Sequence, residues 1–318
     1  MAKKVTKKHL CKLPPYKVEE VLSLSEVGQK LGWEITSFNL PDAWSVTLGE
    51  GVKIAVCDTG CDLDHPDLVS NLLPGINLVK PGTPPQDDNQ HGTHVAGIIC
   101  AENNAIGMVG VAPKAQIIPV KVLDEKGSGN FTVVAQGIRW AVDNGADIIS
   151  MSLGSPNPLA GIRKAIQYAA SKGVPVFVAA GNAGKTKEVF YPANYPETIA
   201  VGSIDENFDR STFSNTGDRL DFMAPGGKIF STVPDNWYAY LSGTSMACPF
   251  VVGIAALCLS YQRKHFPNKP LKGADSFRQL FRKHTMPISN PAYAGQKFFQ
   301  GFGIIDTRDF KKWIETNQ

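Results

Sequence analysis

The chain has 318 residues, 43% of them hydrophobic and 19% charged, with a formal net charge of +3. That composition suits a globular protein with a sizeable core and excludes a disordered or fibrous chain. The charge balance is too weak to imply a nucleic-acid partner, and no apolar run approaches the roughly 18 residues of a membrane span.

Lys3, Lys4, Lys7, Lys8 and Lys12 crowd the start of the chain and read as a solvated tail. No apolar stretch of signal-peptide length follows them, so we expect a cytoplasmic protein with neither a membrane nor a nucleic acid as partner. Leu13-Pro14-Pro15-Tyr16 comes next. Its two prolines fix φ, enforce polyproline-like geometry and remove two backbone donors. The six cysteines (Cys11, Cys57, Cys61, Cys100, Cys248, Cys258) are even in number, yet a chain of this size needs no covalent staples, and free thiols are expected.

From residue 45 onward, apolar strands alternate with helical patterns, which specifies an α/β fold with a mainly parallel sheet covered by helices on both faces. Strands are expected over residues 53–57, 116–123, 147–153, 175–180 and 198–203, and helices over 131–144 and 159–172. Gly145 and Gly173 stand where left-handed C-terminal caps are wanted. The first of these strands runs into Asp58-Thr59-Gly60. His91-Gly92-Thr93-His94 opens a helix behind Asp87 and Asp88, which read as loop solvation. The two histidines lack the spacing and the intervening glutamate of a zincin.

Asn103-Asn104-Ala105-Ile106-Gly107-Met108-Val109-Gly110 ends that helix in a polar loop, either a plain surface loop or a wrap of oxygens for a hard cation. Later comes Gly243-Thr244-Ser245-Met246-Ala247-Cys248-Pro249, a tight turn entering the apolar stretch 250–259. This layout puts Ser245 at the start of a helix that continues to about residue 265, with Pro249 in the first turn, where a proline forfeits no helical hydrogen bond. Residues 266–298 read as a packed irregular region.

A serine at a helix start is ordinarily an N-cap. Ser245 is distinguished by its company, because a serine hydroxyl becomes a nucleophile when a histidine takes its proton and an acid orients the histidine. The order Asp58, His91, Ser245 is that of subtilisin and differs from those of chymotrypsin and the α/β-hydrolases.

These three blocks, with Ala179-Ala180-Gly181-Asn182-Ala183-Gly184, resemble the subtilisin (subtilase, peptidase S8) family of serine proteases over roughly residues 45–307. The resemblance implies a three-layer subtilisin-like fold and a triad of Asp58, His91 and Ser245. It also implies an oxyanion site of Asn182, the Ser245 amide and Thr244. Gly127, Ser128 and Gly129 match one edge along which the family holds an extended peptide, and Ser152, Leu153 and Gly154 match the other. Phe131 and Leu153 would line an apolar subsite. Phe190 falls at the floor of the primary pocket, where the family often has a small residue; its ring either narrows the pocket or faces elsewhere.

Carried over residue by residue, a calcium site would use the Asp67 carboxylate, the Asn104 side chain and the carbonyls of Glu102, Ile106 and Met108. Leu13-Pro14-Pro15-Tyr16 is similar to the Leu-Ile-Pro-Tyr motif of intracellular subtilisins, with Pro14 in place of isoleucine. In that subfamily the segment lies across the active site as an inhibitor that proteolysis removes; a disordered tail with a chance proline pair is the other reading. The chain then divides into an inhibitory extension, residues 1–20, and a catalytic domain, residues 21–318. Intracellular relatives form dimers, which leaves a homodimer open. The expected activity is hydrolysis of protein and peptide substrates through an acyl-enzyme, by a protein made as a zymogen. The alternative is a silent peptide-binding protein whose cleft is filled by its own N-terminal segment.

Overall fold

The computed structural model describes residues 10–23, 28–184 and 186–316. The chain opens with strands β1 (Leu10–Lys12) and β2 (Lys17–Ser23) and helices α1 (Trp33–Ser37) and α2 (Leu40–Trp44). Strands β3 (Lys53–Asp58), β4 (Ile76–Asn77), β5 (Gln116–Lys121), β6 (Ser128–Asn130), β7 (Ile148–Met151), β8 (Val176–Ala179) and β9 (Ile199–Ile204) follow. The last strands are β10 (Phe222–Pro225), β11 (Ile229–Val233), β12 (Trp237–Ser242), β13 (Thr285–Met286) and β14 (Ile304–Ile305). Helices α3 (His91–Cys100), α4 (Phe131–Asp143), α5 (Ala160–Ser171), α6 (Thr244–His265), α7 (Gly273–Phe281), α8 (Lys297–Gln300) and α9 (Phe310–Thr316) are interleaved with them.

The central sheet runs β13-β14-β10-β9-β8-β7-β3-β5-β4 and is parallel except at the β13–β14 edge. Every residue of β7, β8 and β9 is buried, as expected of strands covered on both faces. Helices α3 and α6 pack together, α4 and α5 pack together, and each pair lies against the sheet, giving three layers. Two small antiparallel sheets, β1–β6 and β11–β12–β2, stand outside the central one. Helix α6 is long and apolar enough to cross a bilayer, but its apolar stretch is entirely buried within the fold, where sheet and helices cover it on all sides.

The expected elements appear with shifted ends. β7 stops at Met151, so Ser152, Leu153 and Gly154 continue as an edge segment. β5 stops at Lys121 because the Val122 and Leu123 amides both turn onto the Asp58 carbonyl, at 2.9 and 3.1 Å. Gly145 (φ +79°) and Gly173 (φ +76°) are left-handed, as the caps of α4 and α5 require. Residues 266–298 are less irregular than expected, since they contain α7. Its Phe277 and Phe281, one turn apart, bury edge-on against Phe177 and Phe222, a tertiary contact with no local signature. Pro249 also departs from expectation: α6 begins at Thr244, which puts the proline beyond the first turn and inside the helix.

Candidate active site

Strand β3 delivers Asp58 at its C-terminal end, on the edge of the sheet where parallel α/β folds collect their functional groups. Asp58 is fully buried; its Oδ1 accepts from the Thr59 amide at 2.8 Å and lies 2.8 Å from His91 Nδ1. His91 is the first residue of α3. Asp87, expected to be solvated, is instead buried and builds that helix start. It accepts from the amides of Asn89, Gln90 and Thr93 and from the hydroxyls of Thr59 and Thr93, at 2.6 to 3.1 Å. Asp88 likewise has a partner: the buried Lys121 ammonium reaches it at 2.6 Å while also donating to the Thr59 carbonyl. The end of β3 and the approach to α3 are thereby tied together. His94, one turn into α3, is a packed core residue whose Nε2 sits 3.0 Å from the Ala239 carbonyl oxygen; burial holds its pKa down at about 3.

Ser245 occupies the second position of α6, among backbone N–H groups that have no helical acceptor. Its Oγ lies 3.4 Å from the Ser152 carbonyl oxygen, and His91 Nε2 has no hydrogen-bond partner among the described residues. Asn182 faces the same space. The Thr244 amide (2.9 Å) and hydroxyl (2.7 Å) both donate to Asn182 Oδ1, and this fixes the side-chain amide so that its NH2 points outward.

The N-terminal segment runs through this space. β1 pairs with β6 (Cys11 opposite Gly129), Lys12 exchanges two hydrogen bonds with Gly154 (3.1 and 2.9 Å), and the Leu13 amide donates to the Gly127 carbonyl at 2.9 Å. A side chain at Gly127 would meet Leu13 Cδ1 at 2.6 Å, so the segment can approach this closely only over glycine. Pro14 is buried. The Pro15 carbonyl oxygen accepts from Asn182 Nδ2 at 2.7 Å, and the Tyr16 ring packs 5.0 Å from His91. Beyond it β2 adds a third strand to β11–β12, with Lys17 opposite Ser242 and Ser23 opposite Trp237.

Leu153 is buried, and Phe131 packs partly buried at the edge of the core, its ring 3.2 Å from where a Cβ on Gly161 would stand. The Phe190 side chain packs between Gly154 and Gly181. Its Cδ2 and Cγ lie 3.0 and 3.1 Å from the position of a Cβ on Gly181, and its own Cβ is 3.4 Å from that of Gly154.

A buried Asp–His pair, a serine at a helix start and an amide aimed at a carbonyl are what acyl transfer needs, and the Subtilase family model matches residues 49–303. The chain belongs to the subtilase family. It is 49% identical to thermitase of Thermoactinomyces vulgaris over 224 residues, 70% of this chain and 80% of that protein. It is 42% identical to subtilisin E of Bacillus subtilis (strain 168) over 296 residues, 92% of this chain and 74% of the relative. An intracellular serine protease of Paenibacillus polymyxa is 45% identical over 260 residues, 79% of this chain and 78% of that one. The protein is accordingly a subtilisin-like serine endopeptidase, a hydrolase.

As a subtilase it invites a test of the 103–110 loop as a cation site. Asp67 Oδ1 accepts from Asn104 Nδ2 (2.9 Å), and Oδ2 accepts from the Met108 amide (3.1 Å) and the Tyr238 hydroxyl (2.9 Å). Burial raises the Asp67 pKa, while these hydrogen bonds pull it down. The Ile106 amide donates to Asn104 Oδ1 at 3.1 Å, and Gln29 Nε2, which sequence reasoning missed, reaches the Glu102 carbonyl at 3.3 Å. Among the described residues no group of three or more His, Cys, Asp or Glu could hold a metal ion. One carboxylate with side-chain amides and carbonyls is nonetheless an all-oxygen donor set of the kind calcium accepts.

All six cysteines are free and buried. Burial pushes the Cys11 and Cys248 thiols up to about 12, which makes them poor nucleophiles near neutral pH. Sequence reasoning also missed Lys121 and the structural use of Asp87, because both close on Thr59, which lies 62 and 28 residues away in the chain.

Proposed function

We propose that this subtilase hydrolyses peptide bonds in proteins with Ser245 as nucleophile, His91 as general base and Asp58 as the group that orients His91. Ser245 attacks the scissile carbonyl as His91 Nε2 takes its proton; Asp58 keeps the other ring nitrogen protonated and stabilises the imidazolium. Asn182 Nδ2 and the Ser245 amide then stabilise the oxyanion. Thr244 serves by locking Asn182, since its hydroxyl proton is already committed to Asn182 Oδ1. His91 returns the proton to the leaving amine, and water, activated by the same imidazole, hydrolyses the acyl-enzyme. Substrate pairs by its backbone with Gly127, Ser128 and Gly129 on one side and with Ser152, Leu153 and Gly154 on the other. Phe131 and Leu153 line an apolar subsite, and Phe190 makes the primary pocket shallow.

The observation that carries this reading is the Pro15 carbonyl held 2.7 Å from Asn182 Nδ2, beside the buried 2.8 Å Asp58–His91 pair. A peptide carbonyl of the chain itself sits where a substrate carbonyl would sit. In this reading the carbonyl resists attack, and the chemistry of the segment supplies the reason. Pro14 and Pro15 have no N–H to offer the Ser152 carbonyl, which instead faces the Ser245 hydroxyl, while Tyr16 covers His91. Leu13, Pro14, Pro15 and Tyr16 thus form the centre of an inhibitory extension, residues 1–20, on a catalytic domain, residues 21–318, and the protein is a zymogen. The boundary falls within β2, so maturation would strip a strand from β12.

Calcium is the structural cation we propose for Asp67, Glu102, Asn104, Ile106 and Met108. Six unpaired buried thiols and the likeness to an intracellular serine protease support a cytoplasmic location.

The test is intact mass against time for the purified chain and for Ser245→Ala, with casein hydrolysis followed in the same tubes. Loss of about twenty N-terminal residues as casein cleavage rises, with Ser245→Ala whole and inert, is the expected result. Full activity from time zero would reduce the extension to a tail. No cleavage at any time would return the silent peptide-binding reading, which the filled cleft also accommodates.

A further inference from the structure

An α-helix aims the N–H of each residue at the carbonyl four positions earlier, and proline has no N–H to aim. Pro249 lies inside α6, so the carbonyl it deprives is that of Ser245. Ser245 is fully buried, and an unpaired carbonyl there would be costly. It is not unpaired, because Ser152 Oγ donates to the Ser245 carbonyl oxygen at 3.0 Å from a side chain that is itself buried. Ser152 belongs to the edge segment after β7, and 93 residues separate it from its partner.

We propose that Ser152 is a positioning residue, its hydroxyl standing in for the helical hydrogen bond that Pro249 withholds and thereby fixing the turn that presents Ser245. The carbonyl and the Cα–Cβ bond belong to one residue. Releasing the carbonyl frees the peptide plane after Ser245 to rotate and the hydroxyl to swing relative to His91 Nε2. The same segment touches the nucleophile twice, since the Ser152 carbonyl also lies 3.4 Å from Ser245 Oγ. Under the proposed function the substrate peptide pairs with the main chain of Ser152, whereas the carbonyl of Ser245 takes its side chain. Substrate affinity and nucleophile alignment are therefore separable at this one position.

The inference rests on Ser245 being the nucleophile. Its test is a cycle of Ser152→Ala, Pro249→Ala and the double variant, with kcat and KM for a short chromogenic peptide and the melting temperature measured for each. Ser152→Ala should lower kcat by about ten- to a hundredfold, the scale of a small misplacement of a reacting group, leave KM nearly unchanged, and melt earlier. Pro249→Ala alone should change little. In the double variant the backbone N–H that Pro249→Ala introduces closes the helical bond, and both kcat and melting temperature should return most of the way to the parent values.

An undiminished kcat in Ser152→Ala, or a double variant as impaired as Ser152→Ala, would overturn the proposal. Should Ser152→Ala fail to fold, the double variant decides: a folded, active double supports the role, and an unfolded one removes it. Ser245→Ala run alongside separates the two claims. Hydrolysis surviving in that variant would sink the nucleophile assignment and this proposal together, while failure of the cycle alone leaves the nucleophile standing.

Discussion

His91 Nδ1 and Asp58 Oδ1 are 2.8 Å apart, and neither side chain is exposed to solvent by more than 1%. In so dry a setting a charge-assisted hydrogen bond is strong and the imidazole has one tolerated orientation. Asp58→Asn should keep the fold and KM but lower kcat by about 10^4-fold, a scale measured on subtilisin and chymotrypsin themselves rather than obtained from this geometry. Steady-state kinetics on the matured enzyme checks it. A loss below about tenfold would mean that His91 is oriented by something else.

Phe190 bears on specificity. Its ring stands within 3.1 Å of where a side chain on Gly181 would begin, and under the proposed function it takes space that a large substrate side chain would need. Phe190→Gly should raise kcat/KM for a phenylalanyl reporter peptide relative to an alanyl one, by about tenfold or more, since filling or emptying a pocket by several methylene equivalents is worth that much. An unchanged ratio would show that the ring does not bound the primary pocket.

The cation site proposed at Asp67 has a consequence for stability. A ligand that binds only the folded state stabilises it by mass action. Excess chelator should therefore lower the melting temperature of the parent chain, and Asp67→Ala should melt at that lower temperature with or without chelator. A parent melt indifferent to both calcium and chelator would remove the site.

Glu34 supplies a pH dependence. Burial pushes its carboxyl up to about 7, and its Oε2 has no hydrogen-bond partner among the described residues. The folded state therefore holds this proton more tightly than the unfolded chain, whose glutamate titrates near the usual 4.5. Below that value both states are protonated. As pH rises towards 7 the unfolded chain ionises first, so stability falls through this window, by on the order of 3 kcal/mol, and is flat above it. Glu34→Gln should abolish this contribution. The difference in melting temperature between variant and parent should grow in favour of the variant from about pH 4.5 to 7; a difference that does not change with pH would contradict the assignment.

Much of this was legible in the amino-acid order because it is local. Alternation of apolar runs with helical periodicity specified a parallel sheet between helix layers, and Gly145 and Gly173 marked helix ends by their freedom to take positive φ. The blocks around Asp58, His91, Asn182 and Ser245 were visible because each is a turn or helix start whose residue types are set within a few positions. Tertiary structure alone decided which hydrogen bonds support those residues. Asp87 looked like loop solvation until Thr59 and Thr93 closed on it, and Lys121 was one residue of an expected strand until it joined Thr59 to Asp88. Pro249 seemed harmless in a first turn; inside α6 it leaves a carbonyl that a residue 93 positions away satisfies. A sequence specifies short-range conformation through backbone sterics and hydrogen bonds between near neighbours. The partner of a buried polar group is chosen by whichever distant segment the packed core brings within about 3 Å of it.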